Sequence, residues 1–542
     1  MLKKCISRRS FLALSAITAA SFALENKAIG AYSAKIHPKS DYPTVIIGAG
    51  LGGLCCGALL ARQGVPVTIV EQGNRPGGYA CTFDRAGGKF TFDVPLHGTP
   101  LKDNTAARIL AELGVLESLP LAQLPEIYVL RTPKISISLP QRDPGEYIRT
   151  LSNHFPAEKE GIQGFVKEIV GIAEESDKLH QKGMGSRLFF PIRYPKIYKV
   201  LKKTLADLMN EYVKDPALQN ILASLWDFHG LPPSKVSGLY YAAAKGDCLR
   251  NGTYYIKRRS SDLSYALADT IKEAGGQILY NTMVESIQLK KGAVSGVVTG
   301  GGDTIPARAV VSNANVPDTF QRMLHRKSLP KDYLRDLETY RPSLSTFIIW
   351  LGLNQDLRKK IKASGIQFLS GQGAEADYHT CSIGEIETMP FRMSFYDNIY
   401  EGYSTPGTST LRILCLSAYE PWRRFETDYR AGRKKAYYRE KKRWTDSILN
   451  RVEAVIPGIS SMLEVKEAAT PLTNWRFTRN TEGAIYGFEQ SVENAYIQRI
   501  DNRTPIKGLY LASAWSSPGG GFSGVLVGGQ MAFRKIMEDW AG

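Results

Sequence analysis

Cysteine and histidine are scarce in this 542-residue chain, at seven each, with no C-x-x-C pair and no cysteine–histidine cluster. That pattern argues against a zinc or iron–sulfur centre. No stretch beyond the N-terminal forty residues has the eighteen or more apolar residues that a transmembrane helix needs. Basic, aromatic-interleaved nucleic-acid motifs are absent, and so are internal repeats and low-complexity tracts. Acids are outnumbered, 52 Asp and Glu against 69 Lys and Arg, for a formal net charge of +17. Without nucleic-acid motifs, that excess favours an anionic lipid surface or simple solubility. The hydrophobic fraction of 43% and charged fraction of 22% are those of a globular protein. The chain is long enough for two intertwined domains.

The N-terminus reads as an export address. Lys3, Lys4 and Ser7-Arg8-Arg9-Ser10 lead into an apolar run from Phe11 to Leu24 with small residues interspersed. Basic, apolar and small regions in that order are those of a twin-arginine signal, with Ser21-Phe22-Ala23 or Ala28-Ile29-Gly30 as cleavage sites. Cleavage after Ala23 would remove four cations and no acid, leaving 17 − 4 = +13. Residues 1–40 are therefore set aside as signal and linker, and a periplasmic or outer-membrane-face location is expected.

Val45-Ile46-Ile47 is a β-branched run suited to a buried parallel strand. It leads into Gly48-Ala-Gly50-Leu-Gly52-Gly53, where glycines permit a tight turn, close approach of backbone to a diphosphate, and close helix–strand packing. A helix follows through Ala61, then a second strand, Val67–Val70, ending at Glu71 and Gln72. Glu71 lies 18 residues after Gly53, where an acid accepts bonds from ribose hydroxyls. The glycine pair Gly77-Gly78 just beyond points to FAD rather than NAD. Near the C-terminus Gly519-Gly520-Gly521-Phe-Ser-Gly524 follows a strand-like Gly508–Ala512 and opens the last helix. It is expected to bring N–H groups to the flavin ring or ribityl-phosphate. No second complete fingerprint exists for a separate NAD(P)H domain.

At these residues the chain resembles the phytoene desaturase, carotene isomerase and retinol saturase family of FAD-dependent oxidoreductases. Further landmarks are Gly87–Asp93, Leu263–Leu267, Thr282–Ile287, Val310–Ala314 and Thr481–Gly487. The resemblance implies an α/β, Rossmann-like FAD domain of the GR2 type, assembled from residues 41–98, 250–315 and 470–542. An inserted α+β substrate domain would comprise residues 99–249 and 316–469. It implies that Glu71 holds the adenosine ribose, that Val284 meets the adenine through its backbone, and that Gly519–Gly524 sit by the isoalloxazine. It also implies a long apolar substrate with carbon–carbon double bonds. Departures are Ser513-Ala514 where relatives carry Gly-Asp, Tyr254–Arg259 where they carry a glycine pair, and Pro95 in the saturase-like Phe92-Asp93-Val-Pro95-Leu-His97.

Hydride transfer at flavin N5 needs positioning, because the cofactor carries the chemistry. An acid or base is needed only if the second hydrogen moves as a proton. His97 is the catalytic candidate for that task. Tyr254, Tyr255 and Tyr486 are candidates for lining an aromatic tunnel. In residues 187–208, Ile197, Val200, Leu201, Leu205 and Leu208 recur at helical spacing opposite Lys196, Lys199, Lys202 and Lys203. That resembles an interfacial helix with its apolar side in lipid. Residues 99–240 read as largely helical, with strands at Thr346–Trp350 and Leu411–Cys415. The expected activity is reduction or desaturation of a polyene or isoprenoid-like lipid, with a quinone or other membrane-borne electron carrier. The rivals are redox-neutral cis–trans isomerisation and a non-enzymatic lipid-binding role, as in the GDP-dissociation inhibitors of small GTPases.

Overall fold

The computed structural model describes residues 43–95, 98–182, 188–324 and 328–541. The export signal, its cleavage sites and His97 lie outside the described residues.

The first layer grows from the glycine fingerprint. Strand β1 (Thr44–Ile47) is wholly buried, as its β-branched composition requires. It leads into helix α1 (Leu51–Arg62) and strand β2 (Val67–Val70). These belong to a five-stranded sheet in the order Leu509–Leu511, Ala309–Ser312, β1, β2, Gln277–Leu279. Every pairing in it is parallel, with Val45 opposite Val310, Ile46 opposite Ile69 and Ser312 opposite Leu511. A parallel neighbour must arrive by a crossover, and here the crossovers are long. Three distant stretches of chain supply the five strands.

Eleven of the twelve α1 residues are buried. The helix is clasped by the C-terminal helix Phe522–Ala541 and by Ser260–Glu273. Small residues make this possible. A methyl group at Gly529 would stand 2.5 Å from the Gly52 carbonyl oxygen, well inside contact distance. Leu54, Leu263, Leu267, Ile271, Leu526 and Ile536 fill the seam, each contributing about 1.5–3 kcal/mol of burial.

The second layer is a seven-stranded sheet in the order Leu463–Ala469, Ser345–Leu353, Ser409–Ser417, Phe391–Ser394, Gly365–Phe368, Tyr128–Arg131, Ser136–Leu139. All pairs are antiparallel except Gly365–Phe368 with Tyr128–Arg131. The two long central strands contain the expected Thr346–Trp350 and Leu411–Cys415. Side chains alternate between faces with the period of two that pleating imposes. Phe347, Ile349, Ile413 and Cys415 enter the core against the helices. Thr346, Ile348, Leu414 and Leu416 face a cavity on the opposite side.

One sequence expectation is refined and one corrected. Residues 99–240 are largely helical, as expected, with Tyr128–Arg131 and Ser136–Leu139 added as the edge hairpin of the large sheet. Tyr128, Leu130, Ile137 and Leu139 alternate into the core there. The basic segment after Pro195 does not present its apolar side outward. It forms two short helices, Pro195–Val200 and Leu205–Asn210, and Ile197, Val200, Leu205 and Leu208 are fully buried. Lys196 and Lys199 are held inward by Glu168. What remains exposed is a different apolar set, Leu188, Phe189, Ile192 and Tyr198.

Candidate cofactor and substrate site

The turn between β1 and α1 is set by backbone. Gly48 takes φ +93°, a region that favours glycine, and its N–H donates to the Val70 carbonyl (2.8 Å). Gly50 begins α1 with no side-chain cap. The first N–H groups of the helix thus have no capping side chain and present partial positive charge to any anion at the turn. A methyl at Gly52 would lie 1.8 Å from the Ala512 carbonyl oxygen, and one at Gly53 2.5 Å from that of Gly48.

Glu71 stands at the end of β2. Its Oε2 accepts from the Ala49 N–H and its Oε1 from the Gly73 N–H, each at 2.7 Å. Burial pushes its carboxyl above the ordinary carboxylate range, and those two N–H bonds partly oppose the shift. Gly77 abuts the first turn, donating its N–H to the Ala49 carbonyl (2.7 Å). It takes φ +116°, and a methyl there would meet the Ala80 oxygen at 2.3 Å.

A cavity of about 560 Å³ runs along this backbone and onward to the large sheet. Of the residues singled out from sequence, Gly48, Gly50, Gly52, Glu71, Gln72, Gly77, Gly78, Val284, Gly520, Gly521 and Gly524 line it. Gly53 and Gly519 do not. Gly53 packs behind the turn, and Gly519 (φ +125°) backs onto Gln490. The Val284 carbonyl accepts from Arg322 Nη1 (3.3 Å), and Arg322 also lines the cavity.

Mid-chain and C-terminal segments meet at the turn that opens the last helix. A methyl at Gly520 would lie 2.9 Å from Tyr486 Cα, and Tyr240 donates its hydroxyl to the Gly520 carbonyl (3.2 Å). Tyr486 is the one member of the expected aromatic tunnel that lines the cavity. Tyr254 and Tyr255 do not. Tyr255 is buried in a cluster with Tyr396 and Tyr403 and donates to Asp93 Oδ2 (2.8 Å). Asp93 also accepts from the Ser260 N–H (3.0 Å) and from Ser260 Oγ (2.8 Å).

Several functional positions carry no sequence signal of their own. Arg499 is buried and bonds five carbonyls: Tyr486, Phe488 and Ala514 through Nη2, Glu489 and Asn494 through Nη1. It therefore fixes the loop at Ser513-Ala514 through the Ala514 carbonyl (2.8 Å). His229 is buried against the rings of Tyr240 and Tyr241, and burial lowers its pKa to about 3. It lines the cavity as a neutral imidazole. His180, also lining, is pushed down to about 4 by burial.

The cavity fits a dinucleotide. An uncapped helix N-terminus, an acid at the end of the second strand and backbone that a Cβ would obstruct stand along one wall. The fold and this wall define an FAD-dependent oxidoreductase. The chain belongs to the flavin containing amine oxidoreductase family, which it matches over residues 51–537. It is 25% identical to the chloroplastic prolycopene isomerase of Daucus carota over 514 residues, covering 92% of this chain and 80% of that one. It is 26% identical to the all-trans-retinol 13,14-reductase of Danio rerio over 553 residues, covering 93% and 87%. Its fold resembles that of an oxidoreductase from Methanosarcina mazei, with TM-score 0.59 and 18% identity over 92% of this chain and 100% of the other. Cyclohexylamine oxidase from Brevibacterium oxydans gives TM-score 0.58 at 17% identity, covering 93% and 100%.

Proposed function

We propose that this protein is exported and uses FAD to reduce or desaturate carbon–carbon double bonds of a polyene or isoprenoid-like lipid. The observation that carries the reading is continuity. One cavity joins the dinucleotide turn to an apolar floor of Ile348, Leu414 and Leu416. Similarity to a prolycopene isomerase and a retinol 13,14-reductase supports a polyene as the occupant of that floor.

FAD supplies the hydride-transfer centre. The protein supplies position: the α1 N-terminus for the diphosphate, Glu71 for the ribose, and Gly520–Gly524 with Tyr486 for the ring. Residues from both large sheets line the cavity, and apolar side chains such as Ile348 and Leu414 lower the local dielectric, which strengthens polar contacts beside them. His97 is the proposed carrier of the second hydrogen as a proton. A quinone or other membrane-borne carrier is the proposed electron partner. Peripheral membrane contact is proposed through Leu188, Phe189, Ile192 and Tyr198, of which Ile192 is 77% exposed and is followed by Arg193. An apolar surface edged by cations suits an anionic lipid interface.

The test is anaerobic: dithionite-reduced holoprotein mixed with carotenoid or retinoid polyenes, with product mass and flavin absorbance followed together. A product heavier by one hydrogen pair, formed as the flavin reoxidises, is expected; the reverse change with a quinone marks desaturation. An unchanged mass with altered double-bond geometry would replace this reading by isomerisation, which the prolycopene isomerase similarity favours. A colourless protein with lipid bound would replace it by lipid carriage. For export, Arg8→Lys with Arg9→Lys should retain the chain in the cytoplasm. Periplasmic recovery of that variant would remove the twin-arginine assignment.

A further inference from the structure

The polar end of the cavity suggests what its ligand carries. Arg392 (4% exposed) and Arg412 (2% exposed) lie on neighbouring strands of the large sheet. Arg392 pairs with Leu414 and Arg412 with Ser394, so the two arginines occupy diagonal positions on one face. Both line the cavity, as does Tyr486. Around them the floor is apolar at Ile348, Leu414 and Leu416.

Arg392 is poorly matched to its partners. Its Nη2 carries all its side-chain hydrogen bonds, to Asp227 Oδ1 (2.8 Å), Asp227 Oδ2 (2.7 Å) and Gln367 Oε1 (3.1 Å). Three acceptors thus share two hydrogens. Nε has no acceptor among the described residues, and Nη1 makes no hydrogen bond to them. The guanidinium is wedged over the Phe228 ring, 3.9 Å from its centroid. Guanidinium normally meets a carboxylate fork to fork, and Asp227 takes only one tine. A buried donor without an acceptor is costly. A hydrocarbon ligand offers this cavity-lining guanidinium no acceptor, whereas a carboxylate offers it two charged oxygens.

We propose that the cavity takes a polyene carrying a carboxylate, with Arg392 as the specificity-determining residue that receives the acid group. This rests on the polyene reading above and narrows it from an apolar lipid to a polyene acid. Arg412 adds positive potential on the same face.

The test uses the FAD-loaded protein and three probes of one chain length: an all-trans C20 polyene acid, its methyl ester and the parent hydrocarbon. Binding is read from quenching of protein and flavin fluorescence and needs no turnover. The acid should bind ~30-fold or more tightly than the ester, as expected for charge-assisted bonds in a buried site. Arg392→Met combined with Asp227→Asn removes the ion pair as a unit and leaves Arg412 as the cation on that face. It should cut the preference by roughly tenfold or more while leaving ester affinity in place. Arg392→Lys should retain part of the preference. Equal affinity of acid and ester for the unaltered protein would overturn the proposal, whatever the variants do. So would a double variant that weakens all three ligands alike. Acid preference without turnover of any polyene would sink the proposed reaction and leave this site standing.

Discussion

Replacing Gly52 by alanine puts one methyl group where the fold has no room. The new Cβ would stand 1.8 Å from the Ala512 carbonyl oxygen, whereas ordinary contact begins near 3.4 Å. Relief requires a displacement of 3.4 − 1.8 = 1.6 Å. The obstacle is backbone, tied into the sheet by the Ala512 N–H to the Ser312 carbonyl (3.0 Å), so α1 is the part that must shift. N–H groups about 2.9 Å from a diphosphate oxygen would move to about 4.5 Å, beyond hydrogen-bond range. Losing two such charge-assisted bonds costs at least about 3 kcal/mol, or roughly 150-fold in the Kd for FAD. The assay is flavin fluorescence titration of apoprotein. Gly64→Ala serves as control: that glycine is left-handed (φ +79°), and a methyl there meets nothing within 4 Å. It should cost about 1 kcal/mol of stability and leave FAD affinity alone. If Gly52→Ala binds FAD as tightly as the unaltered chain, the diphosphate does not sit at the α1 N-terminus.

Glu71→Ala should weaken FAD by roughly tenfold or more through loss of its sugar contacts, read in the same titration. The neutral histidines His180, half-buried, and His229, buried, have folded-state pKa values of about 4 and about 3. Their contribution is present above pH 6.5 and is lost as pH falls toward those values, at about 1.4 kcal/mol per pH unit for each ring. Urea unfolding midpoints at pH 7, 6 and 5 should therefore fall less steeply for His229→Phe than for the unaltered protein; parallel slopes would refute the buried-neutral assignment. Arg499→Met leaves five carbonyls without their donor, so it should lower Tm and loosen FAD together. A variant that lowers Tm yet keeps cofactor affinity would detach Arg499 from the ring-side loop.

What could be read in advance was local. Val45–Ile47, the glycines at 48–53 and Glu71 form one contiguous strand–turn–helix–strand unit, so spacing along the chain is spacing in the fold. Gly520–Gly524 was legible for the same reason, as a turn opening a helix. The far wall was not. Arg392, Arg412 and Asp227 come from separate elements, and only strand register places the first two on one face. The edge hairpin at 128–139 did leave a signal, the alternation of Tyr128, Leu130, Ile137 and Leu139, which sits among longer helical patterns on both sides. The misjudged segment at 195–208 shows the limit of periodicity. Ile197, Val200, Leu205 and Leu208 do share a helical face, but the pattern cannot say whether lipid or protein covers it. Tyr254 and Tyr255 failed similarly, since aromatic bulk serves a core as readily as a tunnel.

The five-strand sheet has a consequence for the order of events during synthesis. Its middle strand leaves the ribosome among the first to do so, while the edge strand Leu509–Leu511 and the clamp Phe522–Ala541 come last. The nascent chain must hold an unfinished, apolar seam through more than four hundred intervening residues, the kind of exposure that invites aggregation. Capture of the flavin is thereby a completion signal: a yellow molecule is one whose final helix has docked.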